Sequence, residues 1–190
     1  QGEKAYAHII RDITEEKERE EKLEEKAYLD ALTGIGNRNL LVGKMKEFLE
    51  KSEKFVFCYC DLDHLKYIND TFGHDQGDKA IQTVCEILKD VFQTHAVIGR
   101  LGGDEFGIAF TCKNEDFIIH IDSLIQERTQ YFNEKYQLPY YVSLSYGISV
   151  FDYNSPFDLN HTIRLADSLM YERKKEKHLQ RGKKDKEELF

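Results

Sequence analysis

Two short acidic stretches hold the residues best suited to chemistry. In Arg100-Leu101-Gly102-Gly103-Asp104-Glu105-Phe106, two glycines that admit positive φ and favour a tight turn are followed by two adjacent carboxylates. Apolar, β-compatible residues flank them, Ala96-Val97-Ile98 before and Phe106 to Phe110 after, so the pattern predicts a hairpin over 95–111 with an acidic tip. A second adjacent acid adds repulsion unless a cation or ligand offsets it. Upstream, the β-prone run Phe55-Val56-Phe57-Cys58-Tyr59-Cys60 ends in Asp61-Leu62-Asp63. Alternation puts Asp61 and Asp63 on one face if the strand continues, at the rim of a sheet, where a cation would couple to their ionisation. Taken singly, the first stretch reads as a solvated acidic turn and the second as a strand end reaching solvent. Taken together, they point to a shared site.

The elements that must position these acids follow from periodicity. A two-glycine loop, Asp30 to Arg38, leads into a helix near Asn39 to Lys51. The segment His64 to Asp78 reads as a short helix, a glycine turn and the start of a second helix. From Asp78 to Phe92 the residues Ile81, Val84, Cys85, Leu88, Val91 and Phe92 follow helical spacing, as do Phe117, Ile118, Ile121, Leu124 and Ile125 within 115–134. Tyr141 to Phe151 alternates as a half-buried strand, and Ser155-Pro156 opens a last helix carrying Ile163, Leu165, Ala166, Leu169 and Met170. The fold class expected is α+β: a mixed central sheet flanked by helices, a palm of ferredoxin-like kind, with the hairpin beside the first strand so that Asp61 and the Gly103-Asp104-Glu105 turn share one rim.

Composition narrows the function. The 190 residues are 41% hydrophobic and 33% charged, enough for one ordinary domain plus an appendage. A formal charge of −8 argues against a binder of nucleic acid polymers, but not against a nucleotide held through divalent cations. No apolar run is long enough to span a membrane and no signal peptide opens the chain. The four cysteines, Cys58, Cys60, Cys85 and Cys112, have no zinc spacing; a reducing cytoplasm is the simplest compartment.

With the blocks in view, the chain resembles the GGDEF family of diguanylate cyclases from Asp30 to about Lys174. The Gly-Gly-Asp-Glu-Phe signature is complete, and Asp30-Ala31-Leu32-Thr33-Gly34-Ile35-Gly36-Asn37-Arg38 matches the family's Asp-x-Leu-Thr-Gly-Leu-x-Asn-Arg with Ile35 for Leu. The resemblance implies condensation of two GTP to cyclic di-GMP with release of two pyrophosphates. It implies Mg²⁺ or Mn²⁺ held by Asp61, Glu105 and the Leu62 carbonyl, with Asp104 as ligand or general base. Gly102 and Gly103 would let the backbone approach the nucleotide, and Lys66 and Lys174 would contact phosphates. Asn69 and Asp78 would read guanine: a carboxylate suits N1–H and N2–H, and an amide suits O6 or N3. Outside that context Asp78 reads as an acid in a helix's first turn, and Lys174 as part of a basic solvated helix end. One domain holds one GTP, so a homodimer is implied.

Two departures stand out. The family's Arg-x-x-Asp product-inhibition motif is replaced by Gln93 and Ala96, so that feedback is expected to be absent. The final helix, Ala166-Asp167-Ser168-Leu169-Met170-Tyr171-Glu172-Arg173-Lys174, follows the family, but Lys177-His178-Leu179 stand where Gly-Arg-Asn is usual. Lys177 and His178 are then the candidates to replace that Arg on a phosphate. A catalytically weak GTP-binding regulatory module is the alternative. Residues 1–13, with Tyr6-Ala7-His8-Ile9-Ile10-Arg11 as a strand, resemble the end of a PAS sensor domain, implying an upstream sensor in a longer protein. Residues 14–29 are expected as a linker helix, 30–178 as the catalytic domain and 179–190 as a charged, frayed tail.

Overall fold

The computed structural model describes residues 14–111, 115–154 and 158–187. Helix α1 (Thr14–Tyr28) leads through the Asp30–Gly34 turn to a two-residue strand β1 (Gly36–Asn37), then α2 (Arg38–Glu50) and β2 (Phe55–Leu62). Two helices follow, α3 (Leu65–Phe72) and α4 (His74–Phe92), then β3 (Val97–Gly102), β4 (Glu105–Thr111), α5 (Glu115–Tyr136), β5 (Leu144–Phe151) and α6 (Leu159–Glu187). The sheet runs β1-β3-β4-β2-β5, with β1 parallel to β3 and every other pair antiparallel. This is the mixed sheet the sequence predicts, with β2 an interior strand, paired with β4 and β5 and buried on both faces.

Alternation along β2 builds two cores. Val56, Cys58, Cys60 and Leu62 face α4 and α5 with Ile81, Val84, Leu88, Ile108 and Ile121; both cysteines are fully buried, as small core residues should be. Phe55, Phe57 and Tyr59 face the opposite way with Leu41, Met45, Ala166 and Met170 from α2 and α6. The acids that end β2 therefore emerge between two packed layers.

Three boundaries differ from the sequence reading. Strand β5 begins at Leu144 rather than Tyr141, because the Asn133 side chain brackets Val142, donating to its carbonyl at 2.8 Å and accepting from its N–H at 2.7 Å. Helix α6 begins at Leu159, with the Asp158 carboxylate accepting from the His161 N–H at 2.8 Å; residues 155–157 lie outside the described residues. Residues 179–187, expected to fray, continue α6 to Glu187. They carry no apolar stripe, but Leu, Gln, Arg, Lys and Glu are strong helix formers and only one Gly interrupts them. The sensor-like strand in residues 1–13 lies outside the described residues, as does Cys112. Among the described residues, no helix is long and apolar enough to cross a membrane.

Candidate active site at the sheet rim

The ladder joins the two acidic stretches. Asp61 pairs with Glu105 across β2 and β4, and the Leu62 N–H donates to the Asp104 carbonyl at 2.9 Å. The Asp63 N–H donates to Ser143 O at 2.9 Å, which carries the β2–β5 pairing one residue beyond the strand. At the hairpin tip Gly102 and Gly103 have φ of +151° and +51°, values that a side chain rarely permits, so the turn demands glycine on backbone grounds. Arg100 secures the same turn: its Nε and Nη2 donate to Gly103 O at 3.0 and 2.8 Å, and its Nη1 meets Asp30 Oδ1 at 3.2 Å. Burial works against ionisation of Asp30, yet Thr33 and Arg100 outweigh it and hold its carboxyl below the usual range. An open cleft of about 450 Å³ lies against this turn, lined by Asp30, Arg38, Arg100 and both glycines among others.

Helix α6 brings three cations to three acids. Lys174 Nζ lies 2.6 Å from Asp61 Oδ1, Lys177 Nζ lies 3.0 Å from Asp63 Oδ2, and Arg173 donates to Asp122 while stacking 4.0 Å from the Tyr146 ring. Asp61 is 6% exposed and Asp63 is 3% exposed. Burial pushes the Asp61 carboxyl up to about 6; Lys174 counters part of this, while the charges of Asp104 and Asp63 add to it. At Asp63 burial acts in the same direction, but donors from Ser143 and Ser145, each at 2.7 Å, together with Lys177 outweigh it and leave the carboxyl below its ordinary value.

The remaining expected site residues sit nearby in the chain. A left-handed backbone at His64 (φ +64°) turns the chain from Asp63 into α3, which carries exposed Lys66 and half-buried Asn69. Asn69 lies directly against the start of α4: a Cβ at Gly77 would stand 1.9 Å from its Oδ1, so glycine is required for this approach. Asp78 follows Gly77, which brings Asn69 and Asp78 to the same helix junction. Because α4 starts at His74, Asp78 lies past the first turn, where Asp75 is the acid, and it makes no capping bond; the helix-capping reading of Asp78 is thereby set aside.

Lys177 corrects an expectation. Its ammonium is committed to Asp63, to Ser143 Oγ at 3.3 Å and to the Leu144 carbonyl, so it is not at hand for a phosphate. The side chain of His178 lies outside the described residues. Sequence reasoning gave no role to Ser143, Ser145 or Arg173; the alternation of Ser143 and Ser145 is the signal that places both toward the rim, and none was available for Arg173.

Among the described residues, no three His, Cys, Asp or Glu side chains form a preformed metal cage. The donor set nevertheless suits a hard divalent cation. Mg²⁺ is usually held by one or two carboxylates and completed by water and substrate phosphates, and Asp61 and Glu105 are oxygen donors paired on adjacent strands.

The comparisons with known proteins agree with this architecture. Residues 27–180 match the family model described as "Diguanylate cyclase, GGDEF domain", and the chain belongs to that family. It is 33% identical over 153 residues to the probable diguanylate cyclase DgcT of Escherichia coli K12, covering 78% of this chain and 34% of that protein. It is 35% identical over 159 residues to the diguanylate cyclase DgcP of the same organism, covering 80% of this chain and 46% of that protein. The chain thus spans less than half the length of these curated relatives. In fold it is similar to the coiled-coil and GGDEF domain of DgcB from Caulobacter crescentus, solved in complex with c-di-GMP, with a TM-score of 0.71 at 21% identity, covering 86% of this chain and 88% of that one.

Proposed function

We infer that this chain is the catalytic module of a diguanylate cyclase, condensing two GTP into cyclic di-GMP and two pyrophosphates. The observation that carries this reading is the pairing of Asp61 with Glu105, with Asp104 tied to the adjoining residue by the Leu62 N–H. Backbone hydrogen bonds thereby bring three acidic residues to one rim. A 3′-hydroxyl of one GTP attacks the α-phosphate of the other; the new P–O bond forms as the bond to the leaving pyrophosphate breaks. A bound Mg²⁺ or Mn²⁺ would neutralise phosphate charge and lower the pKa of that hydroxyl. Asp61, Glu105 and the Leu62 carbonyl would hold it, with Asp104 as a further ligand or as the base that accepts the hydroxyl proton. Lys66 contacts a phosphate, as does Lys174 once the cation takes its place on Asp61; Gly102 and Gly103 admit the nucleotide, and Asn69 with Asp78 reads guanine.

The rim offers this donor set once, so two copies face each other across two nucleotides, and the working form is a homodimer. An upstream sensor governs that encounter in a reducing, cytoplasmic setting. Gln93 and Ala96 remove the usual route of product feedback. The second reading, a GTP-binding regulatory module of weak activity, is favoured by one observation: Lys177 is held by Asp63 rather than offered to a phosphate.

The test is turnover of this chain with GTP and Mg²⁺ across a protein concentration series, beside an Asp104→Asn control. Cyclic di-GMP rising more steeply than linearly with protein, and absent in the control, is the expected result. GTP binding without product, persisting when a strong dimerising helix is fused before Asp30, moves the conclusion to the second reading.

A further inference from the structure

The junction between α3 and α4 is bridged by one residue of the loop before β5. Helix α3 ends at Phe72, Gly73 turns the chain at φ +89°, and α4 begins at His74. The Tyr140 ring packs on Phe72 at a centroid distance of 5.4 Å. Its hydroxyl donates to the Gln76 carbonyl at 2.7 Å and lies 3.4 Å from Gln76 Oε1. One side chain thus meets the last residue of α3 and the first turn of α4. Phenylalanine would serve the ring contact equally well, so the hydroxyl is what ties the loop to α4. A carbonyl oxygen has two lone pairs, so the Gln76 carbonyl can take this bond without leaving its helix.

That carbonyl belongs to the peptide unit joining Gln76 to Gly77, and a peptide unit moves as a rigid plane. Asn69 lies against the Gly77 end of the same unit, close enough that a Cβ there would meet its Oδ1 at 1.9 Å. Asp78, exposed, is the next residue. Tyr140 therefore acts on the unit that Asn69 rests against, one residue from Asp78. Its own place is well anchored, although its loop has no regular structure. Leu138 and Tyr140 both pack on the buried core, and Pro139 between them restricts the backbone. Beyond Tyr140, Asn133 brackets Val142, and the Asp63 N–H donates to the Ser143 carbonyl at 2.9 Å. The loop thereby links the end of β2 to the α3–α4 junction.

We propose that Tyr140 is a positioning residue for nucleobase selection, holding the Gln76–Gly77 peptide so that Asn69 and Asp78 keep the separation that fits one guanine edge. This rests on the reading of Asn69 and Asp78 as the guanine contacts. Hydrogen bonds weaken steeply as distance and angle depart from the ideal, so two groups that share one base are only as selective as their separation is fixed. Hypoxanthine lacks the N2 amine of guanine, and the preference for guanine over hypoxanthine therefore reports the Asp78 contact directly.

The experiment is calorimetric binding of the α,β-methylene analogues of GTP and of inosine triphosphate, with Mg²⁺, to the full chain. It compares the wild type, Tyr140→Phe and Asp78→Asn, with urea unfolding of each to show that the fold is kept. Tyr140→Phe retains the ring and is expected to narrow the guanine preference by about fivefold, part of the value of one hydrogen bond. Asp78→Asn is expected to abolish the preference. Tyr140→Phe with the wild-type preference, while Asp78→Asn loses it, overturns this inference alone. Equal weakening of both analogues by Tyr140→Phe also overturns it, tracing the effect to general loosening. A wild type with no guanine preference, or an Asp78→Asn variant that keeps it, overturns the guanine reading and this inference together.

Discussion

Asp61 and Asp63 leave one strand two residues apart, are almost equally buried, and each meets a lysine of α6, yet their surroundings differ in kind. Asp63 is met by two serine hydroxyls and Lys177, so the protein itself satisfies the carboxylate. Asp61 has Lys174 as its donor and feels the charges of Asp104 and Asp63, and burial holds its carboxyl up near 6. A buried charge supplied with donors acts as a structural tie, whereas one left short of donors and beside other acids is poised to accept a cation. The Asp-x-Asp pair thus divides its labour: the second aspartate fastens β2, β5 and α6 together, and the first is the one the proposed function assigns to a cation.

That contrast can be broken. The largest effect is expected from Asp61→Asn, which should lower turnover by about a hundredfold or more while leaving the urea midpoint unchanged or raised. Asp63→Asn should do the reverse to stability, costing roughly 2–3 kcal/mol because it removes a carboxylate whose charge is satisfied by two serine hydroxyls and Lys177; this lies below the cost for a fully buried pair because the Lys177 side chain is 37% exposed. Equal midpoints for Asp63→Asn and wild type would erase the distinction. Next comes pH. The folded Asp61 carboxyl takes up its proton near 6, the unfolded one near 3.8, so its stabilising contribution is full below 3.8 and lost as pH rises through about 6. Between pH 7 and 5 the metal-free wild type should therefore gain stability relative to Asp61→Asn. Asp63, shifted downward, contributes the opposite way: its share is present above 3.8 and lost only as pH falls through its lowered value. Urea midpoints across this range for wild type and both variants test the two signs. The smallest effect is expected from Ser145→Ala, which removes one of the donors to Asp63 and should cost about 1 kcal/mol with turnover retained.

The architecture was legible because its signals are local. The Gly102-Gly103 turn announces the hairpin, and the continuous apolar run of β2 announces a central strand, so the pairing of Asp61 with Glu105 followed from topology. Side-chain partners across long separations were not. Nothing in the sequence near Lys177 reveals that Asp63, 114 residues earlier, receives it, because the contact depends on how α6 crosses the sheet. The extension of α6 through residues 179–187 escaped notice for a different reason: apolar periodicity was the criterion, and this stretch is helical on intrinsic propensity.

The join between α1 and the domain has a mechanical consequence. Asn37 Oδ1 accepts from the Asn39 and Leu40 N–H groups at 2.8 and 3.2 Å, while its Nδ2 donates to Ala27 O at 2.9 Å; the Asn39 amide reaches the same carbonyl at 3.3 Å. One side chain therefore starts α2 and grips the last turn of α1. Rotation of α1 about its own axis cannot be absorbed freely at this junction and passes into the domain as torque. Each residue inserted into or removed from α1 turns whatever precedes it by about 100° and shifts it by about 1.5 Å, so changes of seven residues nearly preserve the bearing of the two rims in the proposed homodimer. Output should then follow the length of α1 as a periodic function of phase rather than a simple function of distance.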